Sequence, residues 1–365
     1  MKLKDVTLSI FDGKHGDCKD KKGSGLYFIS VKDLREHDID YSNAREIDEI
    51  DFEQNYKRTN LEEGDTIYAN TGDTIGKSVF VKDNPLVLKT SFQKSVAIVK
   101  PDTSVVEPRY LYYLLKSETP RLRKAATGSG QKNLLLSTMR DFDVSIFERD
   151  VQKKVSKVLG FIDDKIKVNN AINDNLQQMV YQTYMHMFFG KKPNGLLKDF
   201  LVENEKSRIP VGDAKGKQGI YPFFTSGDAV YRWNDALCDG RFIFLNTGGN
   251  ADVKFYVGKS AYSTDTWCIS FKNNLTEYMY LVLLSMKEEL NKKYFQGTGL
   301  KHLQKPQLFK MAVYLPSNDE LSVFNNIVVN PLETISHNYQ ENESLKNMRN
   351  YLLPLLMNGQ ITIAD

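Results

Sequence analysis

Along most of the chain apolar residues come in short runs broken by Gly, Asp and Asn, and in two places they switch to a long helical spacing. Ile67-Tyr68-Ala69, Ser78-Val79-Phe80-Val81 and Ser95-Val96-Ala97-Ile98-Val99 predict strands, being short, rich in β-branched and aromatic residues, and flanked by turn formers. Pro108 to Leu115 predicts a helix, with Pro108 in the first turn, where its missing N–H costs nothing. From residue 148 the period changes. Val151, Val155, Val158, Ile162, Asn169, Ile172, Leu176 and Met179 follow a 4-3 spacing, the seam of a coiled coil. Gly190, followed by Lys191-Lys192-Pro193-Asn194-Gly195, predicts a stop and a linker.

The second half repeats this alternation. Arg241 to Leu245, Val253 to Val257 and Thr266 to Phe271 predict strands, and Thr276 to Asn291 a helix. Leu321, Phe324, Val328, Leu332, Ile335, Asn338, Leu345, Met348 and Leu352 form a second seam. One register relates the halves. Gly128-Ser129-Gly130-Gln131-Lys132-Asn133-Leu134 and Gly297-Thr298-Gly299-Leu300-Lys301-His302-Leu303 stand 169 positions apart (297 − 128). The same offset carries Val144 onto Val313, Asn169 onto Asn338, Leu176 onto Leu345 and Gly190 onto Gly359. A unit this long is a duplicated domain plus a duplicated helix, not a solenoid repeat.

The expected organisation is therefore a domain over 1–147, a helix over 148–190, a second domain over 191–316 and a second helix over 317–365. The fold class is α+β: two tandem α/β domains separated and joined by two long helices that form an antiparallel coiled coil. Each helix of roughly 40 residues would run about 60 Å, and its nearest apolar partner is its own duplicate. Antiparallel packing would put the domains at opposite ends, a two-headed reader suited to a two-fold object such as duplex DNA. Asn169 and Asn338 on the seams either fix register or face solvent. Pro331 predicts a kink or a fresh helix start.

Composition narrows the picture only slightly. The 365 residues, 41% apolar and 26% charged, describe an ordinary globular protein of two or three domains. A net charge of +3 permits a polyanionic partner without requiring one. Cys18, Cys238 and Cys268 are too few for a disulfide framework and are expected as thiols. Neither a signal peptide nor a membrane span is expected, which predicts a cytoplasmic protein.

Candidate chemistry is sparse. Gly72-Asp73-Thr74-Ile75-Gly76-Lys77-Ser78 approaches a phosphate-binding loop, but Thr71 stands where that motif needs Gly, and Val253 breaks the corresponding run before Lys259-Ser260. Hairpin turns are the expectation for both. No methyl-transfer loop, nuclease cluster or metal-spaced His pair occurs; Asp163-Asp164, beside Lys165 and Lys167, are expected on a solvated helix face. The chain reads as catalytically silent. What remains are polar glycine loops in matched places: Asn70-Thr71-Gly72 and Asn246-Thr247-Gly248, each after a strand, and the two Gly-x-Gly loops. Freed amides with a Lys and a neighbouring amide or imidazole suit a phosphodiester; alternatively the glycines only make tight turns. The segments that differ most, 12–60 and 205–240, are where base reading is expected.

Asp12-Gly13-Lys14-His15-Gly16, Thr71 to Lys77, the Gly-Ser-Gly-Gln-Lys-Asn-Leu loop and above all Leu352-Leu353-Pro354-Leu355-Leu356-Met357-Asn358-Gly359-Gln360-Ile361 resemble the DNA-specificity subunit of type I restriction–modification enzymes. The likeness runs the whole length, with Pro331 and Val253-Lys254 (in place of Gly76-Lys77) as departures. It implies two target-recognition domains, each reading half of a bipartite site in double-stranded DNA, and helices that set the spacer. It also implies two modification (methyltransferase) subunits and restriction (translocase/endonuclease) subunits as partners, with S-adenosylmethionine and ATP/Mg held on those partners and none here. The residues expected at DNA are Lys14, His15, Asn70, Thr71, Lys77, Gln131, Lys132, Asn133, Asn246, Thr247, Lys254, Lys301 and His302. A coiled-coil scaffold without a DNA role, or the recognition region of a fused restriction–methylation enzyme, are the rival readings.

Overall fold

The computed structural model describes residues 1–363. It divides into two compact units, Met1–Lys167 with the segment from Ser344, and Val168–Glu343.

In the first unit a four-stranded antiparallel sheet runs Thr7–Asp12, Val96–Pro101, Thr66–Ala69, Ser78–Phe80. Its central strands are buried on both faces, so alternate side chains feed two cores. Tyr68, Ala97 and Val99 join the core built around helix Pro108–Ala125. Ile67, Ala69, Val96 and Ile98 face the other way, toward Ile29, Leu34 and Phe92. The helix begins at Pro108 because Glu107 caps it, accepting the Tyr110 N–H at 2.6 Å. A second, three-stranded sheet sets Tyr27–Ile29 between Arg45–Glu46 and Thr90–Phe92, parallel to the latter. Next to it lies helix Glu49–Thr59, absent from the sequence expectation. Asp48 caps its start, and Asn60, at φ 40°, ends it.

The second unit repeats the plan strand for strand. Its four-stranded sheet runs Leu201–Glu203, Thr266–Phe271, Arg241–Asn246, Val253–Val257, all antiparallel. Its small sheet sets Tyr221–Phe224 between Val230–Trp233 and Ala261–Tyr262, again parallel to the last. The 169-residue repeat is thus a repeat of topology. One expected helix is shorter than its pattern: Thr276–Ser285 ends at Met286, and a turn at Lys287–Glu289 and a π-turn at Leu290–Tyr294 follow. The change coincides with a switch from all-round burial to the exposed Lys287-Glu288, and the wider turn lets Leu290 return to the core.

The long helices are Arg149–Phe188 and Asn318–Met357. The second starts with a capping box, Ser317 Oγ accepting the Glu320 N–H (3.2 Å) and Glu320 the Ser317 N–H (2.8 Å). Within each unit the portions present pack antiparallel. In the first, Val155 and Leu159 share a core with Leu353, Leu356 and Met357, and Asp163 meets Arg349. In the second, Asn169 meets Asn342, Asn173 meets Asn338 and Lys191 meets Glu320.

Four expectations about these helices change. The helix runs through Pro331 unbroken; the carbonyl that loses its donor belongs to Ile327, on the exposed side, where water can take the bond. The first seam holds at Val155, Ile162 and Asn169, with Val158 half-buried, and then slips. Ile172 and Met179 are exposed, and the inward line continues through Asn173, the half-buried Leu176, Val180, Tyr184 and Phe188. A straight helix drifts about 20° per heptad from a 3.5 period, and the asparagine contacts hold it at that point. On the second helix Phe324, Val328 and Asn338 are buried and Leu345 half-buried, but Met348 faces out and Arg349 takes the inward place. Finally, Asp163 is buried, not solvated: it accepts from Arg349 (2.8 Å) and from Tyr113 (2.7 Å). Its neighbour Asp164 pairs with Arg109 and Lys82, and the Arg109 contact chiefly holds it down to about 2.

Of the two readings of the seam asparagines, burial excludes the exposed one. Asn169 Nδ2 donates to Asn342 Oδ1 (2.9 Å) and Glu341 (2.6 Å), Asn338 Nδ2 to Asn173 Oδ1 (2.9 Å), and Asn342 Nδ2 to Asn170 Oδ1 (2.8 Å). Asn342 lies one repeat after Asn173, so each contact is the image of the other.

Candidate nucleic-acid interface

Where strand Thr66–Ala69 leaves the sheet as Asn70-Thr71-Gly72, backbone bonds lace two other segments to it. The Asn70 N–H donates to the Ser95 carbonyl (3.1 Å), the Leu134 N–H to the Asn70 carbonyl (2.8 Å) and the Gly72 N–H to the Lys132 carbonyl (2.7 Å). The Gly128-to-Lys132 loop is pinched shut by reciprocal bonds between Thr127 and Asn133 (3.0 and 2.7 Å). The second unit builds the same junction. Thr247 N–H donates to the Asp265 carbonyl (3.0 Å), Leu303 N–H to the Thr247 carbonyl (2.9 Å) and Gly249 N–H to the Lys301 carbonyl (2.9 Å). His302 pairs with Gln296 to close its loop.

These bonds correct the sequence match. Asn70-Thr71-Gly72 corresponds to Thr247-Gly248-Gly249, an offset of 177 (249 − 72), not to Asn246-Thr247-Gly248. Backbone register decides this, because the bridges Thr71 to Asn133 and Gly248 to His302 are equivalent. Across the following turn the offset falls to 175: the Ala69 N–H donates to the Lys77 carbonyl and the Asn246 N–H to that of Asp252, so Asp252 stands at the place of Lys77 and Lys254 at that of Val79. Gly128 (φ 121°) and Gly297 (φ 149°) share one further constraint. A Cβ on either would stand 2.5 Å from the carbonyl oxygen three residues on, of Gln131 or Leu300. The glycines therefore do make tight turns, and those turns leave the loop tips open.

The expected contact residues fall into two groups. Gln131, Lys132, Asn133, Lys301 and His302 are exposed at the loop tips, and Lys132 and Lys301 have no side-chain partner among the described residues. His15 is also largely exposed, its Nε2 2.9 Å from Asp12 Oδ2. The others are engaged within the fold. Lys14 pairs with Asp51, which chiefly raises its pKa. Lys77 donates to the Val31 carbonyl (3.1 Å), and burial, then Arg35, lowers its pKa. Lys254 donates to the Thr225 carbonyl (3.1 Å) and Asn246 Oδ1 (3.2 Å) and pairs with Asp252 (2.9 Å). Asn70 and Asn246 are buried, Thr71 bridges to Asn133, and Thr247 Oγ1 donates to the Asp265 carbonyl (2.7 Å). Sequence reading missed the third segment, the turns at Ser95 and Asp265; the signal was their common place just before matched strands.

Chemically the junctions offer glycine amides, amide side chains, an imidazole and free ammonium groups, a set suited to phosphate and base edges. No group of His, Cys, Asp and Glu among the described residues could hold a metal ion. None of their helices is long and apolar enough to cross a membrane.

Residues 2–178 and 196–347 match the model of the type I restriction modification DNA specificity domain, once for each half. The chain belongs to this family. Among specificity subunits, that of the type I restriction enzyme MjaIX of Methanocaldococcus jannaschii is 23% identical over 413 aligned residues, covering 100% of this chain and 93% of the relative. The HindI specificity subunit of Haemophilus influenzae is 28% identical over 140 residues, 36% of this chain and 29% of its own. The crystal structure of a type I restriction-modification S subunit from M. genitalium shares the fold, with a TM-score of 0.64 at 11% identity, over 98% of this chain and 95% of that one.

Proposed function

We propose that this specificity subunit is a non-catalytic reader of a bipartite site in double-stranded DNA, each unit taking one half-site. The observation that carries the reading is the twice-built junction, which presents the same open backbone loops and an exposed lysine, Lys132 or Lys301, in each unit. The bases are then read by the parts that differ between copies. The helices set the spacer and dock two methyltransferase subunits, which bring S-adenosylmethionine; restriction subunits bring ATP and magnesium.

Exposed apolar positions on the helices support two equivalent docking places. Met348 and the half-buried Val158 border an open groove in the first unit, and Met179 and Ile327 stand one repeat away from them, exposed, in the second. Like surfaces presented twice suit two copies of one partner.

The test is methylome sequencing of cells carrying the cognate modification gene, with and without this gene. A two-part motif with an unspecified spacer, present only with this gene, is expected. Methylation independent of it, or no DNA binding by the complex, would exclude the reading and leave a helical scaffold.

A further inference from the structure

The third segment of each junction is a four-residue turn. In the first unit the Val96 N–H closes Gln93-Lys94-Ser95-Val96 on the Gln93 carbonyl (3.0 Å), and in the second the Thr266 N–H closes Ser263-Thr264-Asp265-Thr266 on the Ser263 carbonyl (3.0 Å). Each joins the small sheet's parallel strand to the central sheet, and each offers one carbonyl, of Ser95 or Asp265, to the strand end beside it. The framework is held equal while its central side chains differ: Lys94-Ser95 against Thr264-Asp265. Lys94 and the Asp265 carboxylate are exposed and have no partner among the described residues. Thr264 and Asp265 also line a cleft of about 500 Å³ that reaches Thr247 and His302.

An unpaired carboxylate beside a loop that meets DNA is repelled by phosphate, and among the groups of DNA itself the ones that attract it are the donors on bases. Acceptor-only oxygens match the N4 amino group of cytosine, whereas adenine adds an acceptor, N7, next to its amino group. A lysine in the equivalent turn matches the two acceptors of guanine, O6 and N7.

We propose that this turn is the specificity-determining element of both units, with Asp265 reading a cytosine and Lys94 a guanine in the major groove. The inference rests on the DNA-reading function above. It requires a G·C pair at a specified position of each half-site.

The test uses the full chain with its modification subunit, comparing methylomes of the wild type, Asp265→Asn, Asp265→Glu, Lys94→Ala and Lys94→Arg. Asp265→Asn should relax one G·C position in one half-site, with roughly ten- to hundred-fold less discrimination there, and leave the other half-site intact. Lys94→Ala should do the same in the other half-site, and Asp265→Glu and Lys94→Arg should keep a G·C preference. Binding to an unrelated duplex should change less than three-fold for every variant. An unchanged motif, half-sites without a G·C pair, or a uniform loss on all sequences would overturn the proposal. If the wild-type complex gives no bipartite motif, the underlying function fails instead, and the two failures are told apart by that first arm.

Discussion

Asp65 lies buried just before strand Thr66–Ala69, accepting the Lys100 ammonium and the Glu62 N–H, each at 2.8 Å. Burial outweighs both contacts and pushes its pKa from 3.8 up to about 6. A folded value above the unfolded one means the native state holds this proton more tightly. The stability it confers is complete below the unfolded pKa and is lost as pH rises through 6, amounting to roughly 3 kcal/mol by neutrality. Asp65→Asn should therefore flatten the decline of stability between pH 4 and 7, read by urea unfolding at several pH values; an unaltered slope would acquit Asp65. At the loop tips the expectation is different. Lys132→Ala and Lys301→Ala should weaken binding alike on specific and unrelated duplexes and lower the salt slope by about 0.9 for each phosphate no longer neutralised. A changed target motif with intact nonspecific affinity would make either lysine a base reader.

At the level of elements, the buried pair Asp163–Arg349 is the most exacting contact between the helices in the first unit. Glu36 and Tyr113 complete it. Arg349→Ala should cost about 3–5 kcal/mol, because it strands a buried carboxylate, whereas Asp163→Leu combined with Arg349→Leu should recover most of that. Thermal and urea denaturation of the single and double variants measure it, and equal losses in both would argue that charge is not the cause. The sequence made some elements legible and hid others for identifiable reasons. Strands such as Ile67–Ala69 and the two long helices announce themselves by period. Helix Glu49–Thr59 hides because only Phe52, Asn55 and Thr59 turn fully inward, and two of those are polar. Asn-Thr-Gly matched itself by identity one residue out of register, which only backbone pairing could reveal. Asp163 was misread because its partner stands 186 residues away. Lys14, Lys77 and Lys254 look like free cations in a sequence, and their acceptors lie elsewhere in the fold: Asp51 on helix Glu49–Thr59 for Lys14, the Val31 carbonyl for Lys77, and Thr225, Asn246 and Asp252 for Lys254.

For the whole molecule the proposed spacer function yields a ruler experiment. Leu176 and Ile335 lie opposite on the line set by the pairs 169 with 342 and 173 with 338. Inserting four residues after both lengthens the helix pair by about 6 Å, nearly two base-pair steps at 3.4 Å each, and four residues keep the seam close to its face. The spacer in the methylated motif should grow while both half-sites persist; an unchanged spacer with full activity would mean the helices do not position the readers. The Asp163–Arg349 pair carries a wider consequence. One repeat away, the same two places are held by Leu332 and Val180, both in the apolar core of the second unit. Were the first helix to pair with the first helix of another molecule in this register, Asp163 would confront Val180; second with second would set Arg349 against Leu332. Either error buries a lone charge, so the duplicated halves carry addresses that send each to its counterpart and not to its twin. Severed between Lys191 and Asn194 and produced together, they should reassemble as an equimolar pair, and native mass spectrometry showing statistical mixtures of like with like would refute it.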